Sequence, residues 1–179
     1  PRGCSTSCRA AARRWASRSG APWTWTLSPA HAAKVRSYLG GPETVLMGGK
    51  AQGNVVEPTV LEVADRDSPL AREEVFGPVL AVLEVGSFDE AIALANDTPY
   101  GLAASLYTSD IRKALRGARA IRAGTVTVNS YGEGDGTTPF GGWGLSGFGG
   151  RDKGVEAHDQ YTRVKTIWVD LSDDADLAV

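Results

Sequence analysis

The residues best equipped for chemistry fall in two short stretches. In "EEVFGPVL", Glu73 to Leu80, Glu74 and Phe76 stand two apart in an extended segment, so both can project to one side before Gly77 and Pro78 redirect the chain. A carboxylate placed so offers two acceptor oxygens, and the ring beside it a flat apolar face. The bland alternative is a charged turn ahead of a core strand. In "NSYGEGDGTTPFGG", Asn129 to Gly142, Glu133 and Asp135 sit among glycines and small polar residues, where no helix or strand periodicity gives them a structural role. Either they face a ligand or they solvate a flexible loop.

Other reactive side chains lead nowhere by themselves. Cys4 and Cys8 are the only cysteines, too few and too local for a disulfide framework or a zinc site, and no metal site is expected. His31 and His158 could serve as bases, yet each lies in a helix-like polar stretch where a solvated histidine is the commoner state. Ser146 in "GLSGF" lacks the final glycine of a nucleophile elbow. "GWGLSG", Gly142 to Gly147, has the form GxGxxG but neither follows a clear strand nor opens a convincing helix. It reads instead as a tightly turning loop crossing other backbone.

The elements that must position these residues begin near Ala30. "AHAAKVRSYL" suits a helix, "ETVLMGG" a short buried strand, and "PTVLEV", Pro58 to Val63, another strand. "GPVLAVLEV", Gly77 to Val85, is a β-rich run of the kind covered on both faces. Ser87 with Glu90 three residues later forms a capping box for a helix whose stripe is Phe88, Ala91, Ile92 and Ala95. "YGLAASLYTSD" supplies a strand, Ser109 can cap a further helix carrying Ile111, Ala114, Leu115, Ala118 and Ile121, and "AGTVTVN", Ala123 to Asn129, alternates like a strand. Strands alternating with helices predict an α/β fold with a mostly parallel sheet and flanking helices. Ligands gather at the C-terminal ends of such strands, which is where the acidic loop begins. "RVKTIWVDL", Arg163 to Leu171, reads as a terminal strand, either an edge or one that pairs with another subunit.

The totals permit one domain with a sizeable core: 179 residues, 42% hydrophobic, formal net charge -2. Neither a nucleic-acid footprint nor a membrane span is present, and a cytoplasmic location is the default. The average hides a division. Residues 1 to 29 carry five arginines, three of the five tryptophans and no acid, leaving 14 basic and 21 acidic residues for the remainder. A transit peptide is one reading of that start. The genetic code offers another, since "PWTWT" must be CCN TGG ACN TGG ACN, and the frame beginning at the third base of the proline codon forces two aspartates, each preceded by Leu, Met or Val. "GCSTSC" permits Val-Phe-Asp-Glu-Leu in the same frame. A frameshifted segment over residues 1–27 is therefore the favoured expectation, followed by a catalytic-domain portion at 28–160 and a strand and tail at 161–179.

Taken together and in order, "EEVFGPVL", "ANDTPYGLAASLYT", "GTVTVNSY", "PFGGWGLSGFGGRDKG" and "YTRVKTIWV" resemble the C-terminal part of the aldehyde dehydrogenase superfamily. The likeness runs from about Ser28 to Leu171. It is nearest the aminoaldehyde-oxidising branch, of the γ-glutamyl-γ-aminobutyraldehyde type, through "GEGDGT" and "GRDKG".

The resemblance implies oxidation of an aldehyde to its acid by a cysteine thiolate, hydride transfer to NAD or NADP, and release by water that a glutamate activates. It assigns Glu74 to the nicotinamide ribose hydroxyls and Phe76 to the nicotinamide ring. Asn129, Tyr131 and Phe140 belong on this reading to a substrate-facing loop, with Glu133 and Asp135 candidates to meet the cationic amine of an aminoaldehyde. No catalytic residue is assigned in this chain: Cys4 lies only 70 residues before Glu74, too close for the family, so the nucleophile and general base are expected upstream of Pro1. The chain alone is therefore expected to be inactive. The terminal strand implies a homo-oligomer, dimer or tetramer. The competing reading is a non-catalytic interaction or scaffold module that keeps the fold and the strand.

Overall fold

A computed structural model describes residues 24–132 and 134–170. The question of a shifted frame before residue 24 thus lies outside the described residues. The chain divides into two compact units, with the division between Leu94 and Ala95.

In the first unit the elements run β1 (Trp25–Thr26), α1 (Pro29–Ser37), β2 (Thr44–Met47), β3 (Ala51–Gln52), β4 (Val55–Val56), β5 (Thr59–Glu62), α2 (Pro69–Arg72), β6 (Val79–Val82) and most of α3 (Phe88–Asn96). Ordered pairing reaches back into the segment expected to be aberrant: Trp25 and Thr26 pair with Val56 and Val55, and Leu27 donates to the Asn54 carbonyl. Ser28 caps α1 by accepting the His31 N–H at 3.3 Å, and Pro29 follows at the first helical position, where its missing N–H costs nothing. Ala32 and Val35, one turn apart, are its buried face.

The central strand is β5, antiparallel to β2 and parallel to β6. Its Val60 and Leu61 are buried, and Leu61 joins Val35, Val56, Val63, Leu70 and Val75 in one cluster. Each such side chain contributes about 1.5–3 kcal/mol of hydrophobic stabilisation. Thr59 is buried too, with its hydroxyl satisfied at both ends: it donates to the Glu57 carbonyl and accepts the Gly49 N–H, each at 2.9 Å.

Three expectations need correcting here. β6, read as covered on both faces, is an edge strand with Leu80 50% exposed and Val79, Ala81 and Val82 half-buried. β2 is an edge strand rather than a buried one, with Thr44 and Val45 exposed and Leu46 and Met47 half-buried. The sheets are mixed: β5–β6 and β7–β8 are parallel, but β1–β4–β3 and β2–β5 are antiparallel. Chain connectivity explains the difference. β3 and β4 are joined by the two-residue turn Gly53–Asn54, which only antiparallel strands can use, whereas a helix-bearing crossover separates each parallel pair.

At the start of α3 the Ser87 hydroxyl accepts the Glu90 N–H at 3.1 Å, as the capping box requires, while the Glu90 carboxylate takes the Gly86 N–H at 2.6 Å and pairs with Arg66. The Arg66 hydrogen bond, then the Gly86 N–H, hold the Glu90 carboxyl below its ordinary value. On its stripe Phe88, Ala91 and Ile92 are half-buried and Ala95 is exposed.

The second unit contains β7 (Ala103–Leu106), α4 (Ile111–Ala120) and β8 (Thr125–Val128), a parallel βαβ unit in register from Ala103↔Thr125 to Leu106↔Val128. The N-cap of α4 is Asp110, not Ser109: its Oδ1 accepts from the N–H groups of Arg112 and Lys113 at 2.8 and 3.3 Å. Ala114, Gly117 and Ile121 form the buried stripe, while Ile111 and Leu115 are exposed. Asn96 closes the far end of α4, donating to the Ala120 carbonyl at 2.8 Å and accepting the Arg122 N–H at 2.7 Å.

Arg163–Val169 belong to no helix and to none of the three sheets. Val164, Ile167, Trp168 and Val169 are all exposed. The β-rich composition of this stretch marks it as able to pair, but a strand exists only with a partner, and none of the described strands supplies one. Among the described residues no helix is long and apolar enough to cross a membrane.

Candidate functional site

In the first unit the turn from Glu73 to Pro78 follows α2 and feeds β6. Val75 is buried in the core cluster, and Glu74 and Phe76 on either side of it are exposed. Phe76 is 70% exposed and sits at φ 55°, a left-handed conformation that is uncommon for an aromatic residue. The turn is held from α1. Tyr38 donates its hydroxyl to the Glu73 carboxylate at 2.6 Å, Lys34 donates to the Glu74 carbonyl at 3.2 Å, and the His31 ring lies 6.0 Å from that of Phe76, tilted by 36°. None of these bonds uses the Glu74 carboxylate. His31, Lys34 and Tyr38 were not among the expected site residues. Their helical spacing shows that the three share a face, but not that the face meets a turn some 40 residues onward.

In the second unit β8 delivers the acidic loop at its C-terminal end. Asn129 has φ 53°, and its amide is turned back onto the main chain of Thr108. Tyr131 is 90% exposed. Glu133 lies outside the described residues. Asp135 is exposed and organises the loop locally: its Oδ1 accepts the Thr137 N–H at 2.8 Å and the Thr137 hydroxyl at 2.6 Å. The Thr137 hydroxyl, then the Thr137 N–H, hold the Asp135 carboxyl below its ordinary value.

Phe140 is half-buried and paired with Asp152 through two main-chain hydrogen bonds of 2.6 Å, and Gly154 donates to the Gly136 carbonyl at 3.1 Å. These bonds staple the acidic loop to "RDKG". The Lys153 ammonium stands over the Phe140 ring, 5.2 Å from its centroid. The expected aromatic wall therefore carries a cation on one face. The "GWGLSG" stretch is a single 3-10 turn, Gly144–Ser146, whose backbone crosses the Pro99–Gly101 segment: Trp143 donates to the Gly101 carbonyl at 3.0 Å and Leu145 to that of Pro99 at 2.8 Å. At Gly144, φ 60°, a Cβ would run into the Pro99 carbonyl, which is the close approach the glycines permit.

The chain belongs to the aldehyde dehydrogenase family, whose pattern matches residues 25–167. It is 59% identical over 151 residues to aminoacetaldehyde dehydrogenase of Pseudomonas aeruginosa, covering 82% of this chain and 30% of that protein. It is 43% identical over 147 residues to the NADP/NAD-dependent aldehyde dehydrogenase PuuC of Escherichia coli, covering 79% and 30%. Among solved structures, indole-3-acetaldehyde dehydrogenase complexed with NAD+ superposes with a TM-score of 0.74 at 44% identity, over 79% of this chain and 30% of that one. The aldehyde dehydrogenase KauB from Pseudomonas aeruginosa gives 0.73 at 44% identity, over 78% and 30%. The chain thus spans about 30% of the length of the relatives it matches.

Proposed function

We propose that this chain is the C-terminal part of an NAD(P)-dependent aldehyde dehydrogenase that oxidises an aminoaldehyde to the carboxylic acid. The substrate class rests on the name of the Pseudomonas aeruginosa relative and on the acidic loop. The observation that carries the cofactor reading is the turn at Glu73–Pro78, where Val75 is anchored in the core and Glu74 and Phe76 are exposed beside it. A carboxylate that no neighbouring bond of the turn consumes suits paired ribose hydroxyls, and an exposed ring suits the flat nicotinamide. NAD or NADP, when bound, supplies the hydride acceptor. Glu74 and Phe76 hold and orient it, while Tyr131, Glu133, Asp135 and Phe140 shape the aldehyde's entrance. On the family resemblance the nucleophilic cysteine and the general-base glutamate fall outside this chain, and the 179-residue chain assayed alone should form no NADH from an aldehyde. The exposed segment Arg163–Val169 adds as a strand to a neighbouring subunit in a dimer or tetramer, and the protein works in the cytoplasm.

The test is a chimera in which residues 25–167 replace the matching part of the Pseudomonas aeruginosa enzyme. Glu133→Gln with Asp135→Asn removes both charges and preserves the acceptor that Asp135 offers Thr137. Exposed charges in screened solvent contribute modestly, so kcat/KM for amine-bearing aldehydes should fall about two- to tenfold while neutral aldehydes are unaffected. Equal losses for both classes would refute the amine-facing role.

A further inference from the structure

β8 ends where the acidic loop begins, and the hinge between them is Asn129. Its N–H continues the parallel ladder, donating to the Leu106 carbonyl at 2.8 Å. Its side chain then bonds in both directions to one residue. Oδ1 accepts the Thr108 N–H at 2.8 Å, and Nδ2 donates to the Thr108 carbonyl at 2.9 Å. Only one orientation of the amide satisfies both bonds, because an N–H cannot meet an N–H nor a carbonyl a carbonyl. Thr108 is tied onward, since its hydroxyl accepts the Asp110 N–H at 3.1 Å and Asp110 caps α4. On the loop side, Thr127 donates its hydroxyl to the Ser130 carbonyl at 2.9 Å.

We propose that Asn129 is a positioning residue: its amide clasps the Thr108 main chain, and its left-handed backbone sets the direction in which residues 130–139 leave the sheet. The side chain serves the substrate through the loop it aims and does not touch the aldehyde. That the loop meets a substrate rests on the function proposed above; the clasp itself does not. Asparagine fits both demands. It tolerates φ 53° better than most residues, and its side-chain amide carries a donor and an acceptor on one short arm.

The test uses three variants of the full chain and hydrogen exchange at the Thr108 amide, with the Thr125 amide, which bonds to the Leu102 carbonyl at the far end of the ladder, as internal reference. Asn129→Gly keeps the left-handed backbone and deletes the amide; Asn129→Ala removes both. Each should speed Thr108 exchange about five- to tenfold relative to Thr125. Asn129→Asp keeps the acceptor and should hold Thr108 within about twofold of the parent. Unchanged Thr108 exchange in Asn129→Gly would overturn the clasp. In the chimera, Asn129→Ala, which loses both the clasp and the left-handed backbone, should raise KM for the aldehyde several-fold and leave KM for the nucleotide alone. An aldehyde KM unmoved despite faster Thr108 exchange would overturn the aiming role. An inactive parent chimera would count against the dehydrogenase reading, with the clasp still decided by exchange.

Discussion

Gly77 lies directly after Phe76, and a Cβ placed there would sit 2.7 Å from Cγ2 of Val35. Its backbone is not left-handed, so space alone decides what an alanine does. Carbon atoms pack best at about 3.5–4.0 Å, which leaves about 1 Å to be absorbed. Val35 cannot absorb it cheaply: it is fully buried on α1, and a β-branched side chain in a helix has one strongly favoured rotamer. Gly77→Ala should therefore cost about 1–3 kcal/mol by overpacking. Val35→Ala alone removes two buried methyl groups and leaves a cavity, for about 2–3 kcal/mol. Together the two changes relieve each other, since the new methyl enters the space the old ones vacated, and the double variant should be more stable than the sum by about 1–2 kcal/mol. Urea denaturation of the four chains reads this out. With a slope of about 2 kcal/mol/M, the single variants each move the midpoint by about 0.5–1.5 M. Strict additivity would refute the claim that the Val35 side chain and a side chain at position 77 compete for one space.

Replacing Asp110 with Ala removes the acceptor for two N–H groups at the start of α4 and should cost about 1 kcal/mol by thermal or urea melting, whereas Ser109→Ala should be silent. Asn96→Ala strands the Arg122 N–H and the Ala120 carbonyl at the other end of that helix, for a loss of about 1–2 kcal/mol in the same assay. Glu90 has its folded pKa lowered by Arg66 and Gly86, so its contribution to stability is complete above its ordinary value of 4.5 and is lost as pH falls through the folded value. An acid titration followed by circular dichroism should show Glu90→Gln losing part of the parent's pH dependence below about 4.5, with no change in slope near neutrality.

How far the fold was legible followed from what each residue depends on. Local signals served best: Ser87 before Glu90 specifies the start of α3 from its own neighbours, and the apolar run of β6 specifies a strand, though not how far that strand is covered. Where two residues compete for one job, sequence alone chose wrongly. Ser109 and Asp110 are both good N-caps, and Asp110 holds the position, with its N–H on Thr108 Oγ1. Strand direction escaped for a different reason, because the two-residue turn Gly53–Asn54 makes a hairpin from segments too short to show any period. In the site, Glu74 and Phe76, two apart, are both exposed beside the buried Val75. The partners of that turn, His31, Lys34 and Tyr38, could not be read, since tertiary packing alone joins positions so far apart. Asn129 carried a turn-residue signal, but residue type cannot say whether an amide faces a ligand or its own backbone.

The most direct test of the account is the nucleotide dependence of the chimera carrying Glu74→Gln. A carboxylate that accepts from ribose hydroxyls loses its charge in this variant while keeping its shape, and a charge-assisted hydrogen bond is worth about twice a neutral one. KM for NAD+ should rise about tenfold, with KM for the aldehyde unchanged. A nucleotide KM equal to that of the parent chimera would contradict the assignment of this turn to the cofactor.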